Sequence, residues 1–178
     1  MTGKARQPNF ILLAAISLDG KITTGRKEGS EWTSKEDKVF FRHELDRADA
    51  VVMGRKTFEA IKHPLTSRNR LVFSRRKIFS HSAECQNIFG GSAAELLRLL
   101  GQNGWHRIAI VGGTAIYDWF LKRDLVDEMY LTLEPLVFGN GKPLVSRRLN
   151  LPRKFRLASV KKLNARGTLL LHYQSLQS

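Results

Sequence analysis

Cysteine is almost missing: Cys85 is the only one in 178 residues. A single thiol excludes an internal disulfide and fits a reducing cytoplasm. The five histidines are scattered, and none pairs with Cys85 or with another histidine at the spacing that metal ligands need. No serine stands in a nucleophile-elbow pattern. No apolar run is long enough to cross a membrane. The run Phe10 to Ile16 is brief and leads straight into Ser17-Leu18-Asp19-Gly20, without the small-residue cleavage pattern of a signal peptide. Internal repeats and linker-like stretches are lacking as well. Negative charge is scarce, with 16 acidic residues against 30 basic ones and a net charge of +14. Such a balance suits nucleic acid, an anionic surface or phosphorylated small molecules. The cations lie in small clusters (Arg75-Arg76-Lys77, Arg147-Arg148, Arg153-Lys154, Lys161-Lys162). Aromatic residues are not interleaved with them as a base-stacking platform would need. Most of this charge therefore reads as solvated surface, and neither nucleic acid nor membrane is the expected partner.

With 42% hydrophobic residues, the chain can build one core and is short for two. Residues 1–178 are expected to form one domain. Asn9 to Ile16 reads as an apolar strand, and Ser17 to Glu31 as a polar, glycine-containing loop of the kind that acts as a lid. A helix is predicted from about Lys35 to Arg47, with Phe41, Leu45 and Ala48 on its buried stripe. Val51-Val52-Met53 and Leu71-Val72-Phe73 are short buried strands. A short helix opens at Arg55-Lys56-Thr57 and stops before Pro64. The segment up to Phe89 is weakly patterned. Ser92 is placed to cap a helix from Ala93 to Leu100. Trp105 to Val111 is a strand, Ala115 to Leu121 a helix, and Glu128 to Leu133 a strand closed by Pro135. Phe155 to Leu163 and Thr168 to Gln174 form a hairpin. Strands alternating with helices, then strands alone, predict an α/β fold: a mostly parallel sheet flanked by helices, with an antiparallel edge made by the last hairpin.

Two of these strands end in a hydroxyl beside cations: Gly54-Arg55-Lys56-Thr57 and Ser74-Arg75-Arg76. Ligands bind outside the carboxyl ends of strands in such sheets, and helix starts there offer N–H groups to phosphate. Gly112-Gly113-Thr114-Ala115 is a third such turn, without the Rossmann spacing. Together they suit a polyphosphate ligand. Asp37 has two readings. Ser34-Lys35-Glu36-Asp37 has the form of a capping box. Alternatively, Asp37 and Phe41 share a helix face, and a carboxylate beside an aromatic in a cleft has the raised pKa that proton chemistry uses. Trp32 would roof the same cleft or serve as plain core.

From Phe10 to Tyr173 the chain resembles dihydrofolate reductase and its relatives, the reductase domains of riboflavin synthesis that reduce a ribosylaminopyrimidine. The resemblance implies the dihydrofolate reductase-like three-layer fold and hydride transfer from NADPH to a C=N bond of a heterocycle. It gives Asp37 and Thr132 the catalytic positions, and Trp32, Phe41, Leu65 and Arg68 the substrate. It gives the cofactor Ala15, Ile22, Gly54, Arg55, Lys56, Thr57, Ser74, Arg75, Val111, Gly112, Gly113, Thr114, Ala115, Ile116 and Tyr117. It implies a cis Gly112–Gly113 peptide. Several positions depart from the usual pattern: Thr114 replaces a third glycine, Lys38 an apolar residue, and Ser30-Glu31 the usual Met-Pro. Ser17 to Ile22 and Val126-Asp127-Glu128 look more like the riboflavin branch, although Val111 stands where that branch carries an acid. Asp37, Phe41 and Arg68 make 7,8-dihydrofolate the first expected substrate, with 5-amino-6-(5-phosphoribosylamino)uracil second and a non-enzymatic basic module a distant third. A cytoplasmic location is expected, and a homodimer is compatible with the resemblance.

Overall fold

The computed structural model describes residues 7–25, 31–60, 69–74, 85–89, 92–147 and 152–176. Among them, eight strands form one sheet in the order β4-β3-β2-β5-β1-β6-β8-β7. The strands are β1 (Asn9–Ser17), β2 (Ala50–Gly54), β3 (Arg70–Ser74), β4 (Cys85–Phe89), β5 (Arg107–Ile110), β6 (Glu128–Glu134), β7 (Phe155–Lys162) and β8 (Leu169–Ser175). The first six pair in parallel. β8 runs antiparallel to β6, and β7 antiparallel to β8. The predicted α/β architecture with its antiparallel hairpin edge is what the chain forms.

Four helices join these strands: α1 (Lys35–Asp46), α2 (Arg55–Ala60), α3 (Ala93–Asn103) and α4 (Thr114–Lys122). Alternation along the parallel strands decides which helix goes where. On β1, Phe10 and Leu12 face the core that holds Leu96 and Leu100 of α3 and Phe120 of α4. Ile11 and Leu13 face the opposite core, with Phe41 and Leu45 of α1 and Phe58 of α2. Both faces are therefore buried, which explains the near-continuous apolar runs of β1, β2 and β3. The predicted stripe of α1 is present: Leu45 is buried, and Phe41 and Ala48 pack against the same cluster.

Most differences from the sequence reading are at element ends. Strand β6 runs one residue further, to Glu134, and this matters for the site. Helix α3 continues to Asn103 and is closed by Gly104 in the left-handed conformation. Strand β4 had no legible pattern; it exists because β3 offers a parallel edge, in register from Arg70↔Cys85 to Ser74↔Phe89. Ser92 does cap α3, its hydroxyl accepting from the Glu95 N–H. Among the described residues, no helix is long and apolar enough to cross a membrane, and no group of three or more candidate ligands could hold a metal ion.

Candidate active site

The parallel strands all point their carboxyl ends to one rim of the sheet, where the topology reverses around β1. Three of the expected site segments meet there: the turn after β5, the start of α2 after β2, and the first turn of α1 lying over β6.

Asp37 sits in the first turn of α1 and is only 7% exposed. Its carboxyl is bonded by the side chains of Thr132 and Thr33. Burial is the main influence on it and pushes its pKa above the ordinary aspartate value; the nearby Glu134 carboxylate adds to the rise, while the two hydroxyls and Lys38 oppose it. The expected partnership of Asp37 with Thr132 is present. The capping reading of this turn holds in part. Ser34 is the N-cap, and its hydroxyl accepts from the Asp37 N–H at 3.2 Å. The reciprocal bond of a capping box, from the N-cap N–H to the Asp37 carboxyl, is not made. The Ser34 N–H donates instead to Glu134 Oε1 at 2.7 Å.

β6 lies beside β1, with Ala15 directly across from Thr132. On the other side of β1, β5 leads into Val111-Gly112-Gly113. The Gly112–Gly113 peptide is cis, as the resemblance implied. These two flanks of β1 are separated by two strand spacings, about 10 Å, enough to set a flat ring over β1 beside Asp37. Gly112 has φ of +101°, and a Cβ there would stand 2.8 Å from the Tyr117 hydroxyl. That hydroxyl donates to the Leu13 carbonyl at 2.8 Å, and burial pushes its pKa up. Tyr117 thus braces the glycine turn against β1. Gly54 is stitched to the same turn, its N–H donating to the Gly112 carbonyl at 2.9 Å.

The fit to a phosphate-bearing cofactor can be judged from this turn. A Cβ on Gly113 would meet Thr57 Oγ1 at 3.6 Å and Ile22 Cδ1 at 4.0 Å, so Gly113, Thr57 and Ile22 line one small cradle. Gly113 is also the N-cap of α4 and supplies no side-chain cap, which leaves first-turn N–H groups of Thr114 and Ala115 for an anion. The Thr114 hydroxyl itself is committed, donating to the Pro143 carbonyl at 2.6 Å. Ile116 is core, Ala115 is exposed, and Val111 belongs to the core on the α1 side. Lys56 is exposed at the start of α2. Arg55 is engaged by Glu59, one guanidinium nitrogen lying 2.6 and 2.7 Å from its two oxygens. Ser74 ends β3 on the same rim. Arg75, Leu65 and Arg68 lie outside the described residues.

The Trp32 ring packs edge-on against Phe138, 4.9 Å between centroids. Its indole N–H is shut from solvent and has no hydrogen-bond partner among the described residues, an arrangement that suits a bound acceptor. The loop after β1 is latched rather than loose where it is described. Asp19 accepts from the Ser17 hydroxyl and from the Phe138 and Gly139 N–H groups. Those donors, the Ser17 hydroxyl first, hold its pKa down at about 2. The Ile22 N–H donates to the Lys142 carbonyl. At Gly141 a Cβ would fall 1.8 Å from the Thr23 carbonyl oxygen, so this crossing requires glycine.

The sequence reading missed three residues here: Thr33, Glu134 and Thr168. Glu134 is 3% exposed and Thr168 1%. Strand alternation was an available signal for Glu134. A residue two beyond Thr132 on one strand shares its face, so an acid at that position had to lie near Asp37.

The model of the RibD C-terminal domain matches residues 8–169. Protein YyaP of Bacillus subtilis is 32% identical over 168 residues, covering 85% of this chain and 89% of its own. Dihydrofolate reductase of Haemophilus influenzae is 31% identical over 123 residues, 69% of this chain and 70% of that enzyme. Among solved structures, the diaminohydroxyphosphoribosylaminopyrimidine deaminase/5-amino-6-(5-phosphoribosylamino)uracil reductase of Thermotoga maritima superposes with a TM-score of 0.72 at 16% identity, over 95% of this chain and 57% of that one.

Proposed function

The chain belongs to the RibD C-terminal domain family of dihydrofolate reductase-like reductases, and on that premise we propose that it reduces a phosphoribosylaminopyrimidine, 5-amino-6-(5-phosphoribosylamino)uracil, with NADPH. The observation that carries the catalytic part of this reading is the buried Asp37, held against Thr132 across β1 from the Gly112-Gly113 turn. NADPH, when bound, supplies the hydride; the protein supplies binding, orientation and electrostatics. Gly113, Thr57 and Ile22 with the start of α4 would hold the cofactor, and Ala15 would floor the space between it and the substrate. Asp37 and Thr132 would anchor an amino and N–H edge of the pyrimidine, and the raised pKa of Asp37 suits a proton held at that edge. Trp32 would offer its free indole N–H to a substrate oxygen.

The family match spans nearly the whole chain, which favours the pyrimidine over 7,8-dihydrofolate, the substrate expected first from sequence. Dihydrofolate remains as a second reading, because Asp37 and Phe41 share one helix face and because of the similarity to the Haemophilus influenzae enzyme. NADPH oxidation measured at 340 nm with each substrate separates the two. Turnover with the pyrimidine is the expected result; turnover with dihydrofolate alone reverses the assignment.

The cofactor preference makes a further prediction. Arg55 would turn from Glu59 to the 2′-phosphate of NADPH, and charge-assisted hydrogen bonds are the strong ones. Arg55→Leu is expected to weaken NADPH by about tenfold or more, on the order of 1.5–3 kcal/mol for such a bond, and to leave NADH unchanged. Fluorescence titration with both cofactors checks this. A wild-type protein that binds the two equally would remove the role assigned to Arg55.

A further inference from the structure

Glu134 is a second buried carboxylate beside Asp37, and both its oxygens are in use. Oε1 accepts from the Ser34 N–H at 2.7 Å and Oε2 from the Thr168 hydroxyl at 2.7 Å. Three elements meet on it: the N-cap of α1, strand β6, and the start of β8. Thr168 is itself fixed, its N–H donating to Asn164 Oδ1 and its hydroxyl accepting from Asn164 Nδ2. Asn164 also donates to Glu36 of α1. The hairpin between β7 and β8 and the first turn of α1 are therefore joined through one network, with Glu134 at its buried end.

Ordinary capping chemistry shows what this does. In a sequence such as Ser34-Lys35-Glu36-Asp37, the acid at the third helical position commonly folds back onto the N-cap N–H. Here that N–H is already taken by Glu134. Asp37 is left to project toward Thr132 and Thr33 instead of serving its own helix.

We propose that Glu134 is a positioning residue for the reductase site: by occupying the Ser34 N–H it releases Asp37 from the capping box and aims its carboxyl toward Thr132 and Thr33. This rests on Asp37 being the acid of the site, as argued above. Glu134 also acts through space. A carboxylate close to a buried acid disfavours that acid's ionisation, and Glu134 is among the groups that raise Asp37. The other groups facing Asp37 are Lys38 on its own helix and the hydroxyls of Thr33 and Thr132. Farther along the network, Lys35 and Arg166 act on Glu36.

The test titrates Asp37 directly, by carbon-13 NMR of its carboxyl in the full-length protein, so that it does not depend on which substrate is correct. Glu134→Gln keeps an acceptor for the Ser34 N–H and removes the charge. Its expected effect is a lower titration midpoint for Asp37 with an unchanged helix. Glu134→Ala frees the Ser34 N–H. Asp37 is then expected to turn back onto it, lowering its midpoint further and cutting kcat by about tenfold or more through misplacement, with NADPH affinity unchanged. Thr168→Val keeps the charge and the Ser34 bond, so it should leave the midpoint near that of the wild type. An Asp37 midpoint that does not move in Glu134→Gln overturns the through-space action of Glu134, and a Ser34 amide that exchanges freely with solvent in the wild-type protein overturns the positioning role, even if Glu134→Ala fails to fold. A folded Glu134→Ala variant with wild-type kcat overturns it as well. If the wild-type protein turns over neither substrate but the midpoint shifts as described, Glu134 keeps its role and the assignment of the reaction falls.

Discussion

Asp37→Asn is expected to lower kcat/KM on the order of 100-fold or more while the protein folds and binds NADPH as before. Positioned proton donors and acceptors contribute about 10²–10⁴-fold, and the proposed function makes the buried Asp37 the acid of the site. The substitution does not disturb the cap of α1, because Ser34 accepts from the main-chain N–H of residue 37. Asparagine can still bond Thr132 and Thr33. What it loses is the charge and the proton. The loss of turnover should be smaller at low pH, where the substrate arrives already protonated. Turnover near the wild-type level would reduce Asp37 to a structural residue.

The same substitution makes a stability prediction of opposite sign. Burial raises the pKa of Asp37 in the folded protein above its unfolded value, so folding penalises its ionised form. The penalty is fully present above the folded pKa and vanishes once pH falls below the unfolded one. Asp37→Asn should therefore melt higher than the wild type at neutral pH. That advantage should fade as pH drops through the window between the two values. Thermal melts across pH 3 to 8, about 2–4 °C per kcal/mol for a chain of this size, read it directly. A variant that is less stable at pH 7 would mean that the bonds to Thr132 and Thr33 outweigh the cost of burying the charge.

Gly112→Ala is expected to have the largest effect on the cofactor side. At φ of +101° an L-residue is strained, and the new Cβ would press on a Tyr117 hydroxyl pinned to the Leu13 carbonyl. Backbone strain costs about 1–3 kcal/mol. Displacing a buried hydroxyl from its partner costs on the order of 1–3 kcal/mol more. The stability loss, read from denaturant midpoints, should thus be about 2–6 kcal/mol, together with loss of measurable NADPH binding. Tyr117→Phe isolates the hydrogen bond: it should lose only the second contribution. An alanine variant with the wild-type midpoint would show that the turn has room that the geometry denies it.

Composition and short-range pattern determined much of this protein. Apolar runs marked β1, β2 and β3, because burial on both faces of a parallel strand demands such runs, and Pro135 marked the end of β6. The cap at Ser34, the i to i+4 pairing of Asp37 with Phe41, and the closing hairpin are local, and local chemistry shows them. The glycine turn at Gly112 was legible for the same reason. Strand β4 was not, since its pairing with β3 is set by an open edge rather than by its own residues. Nor could local sequence decide between a capping aspartate and a site aspartate at Asp37. That choice depends on Glu134, about a hundred residues away, reaching the Ser34 N–H only once β6 lies beneath α1. The commitments of Tyr117 to Leu13 and of Thr114 to Pro143 are of the same kind. Sequence supplies the donors and acceptors, but hydrogen bonds within buried space are exclusive, and only the packed chain determines which partner reaches each one first.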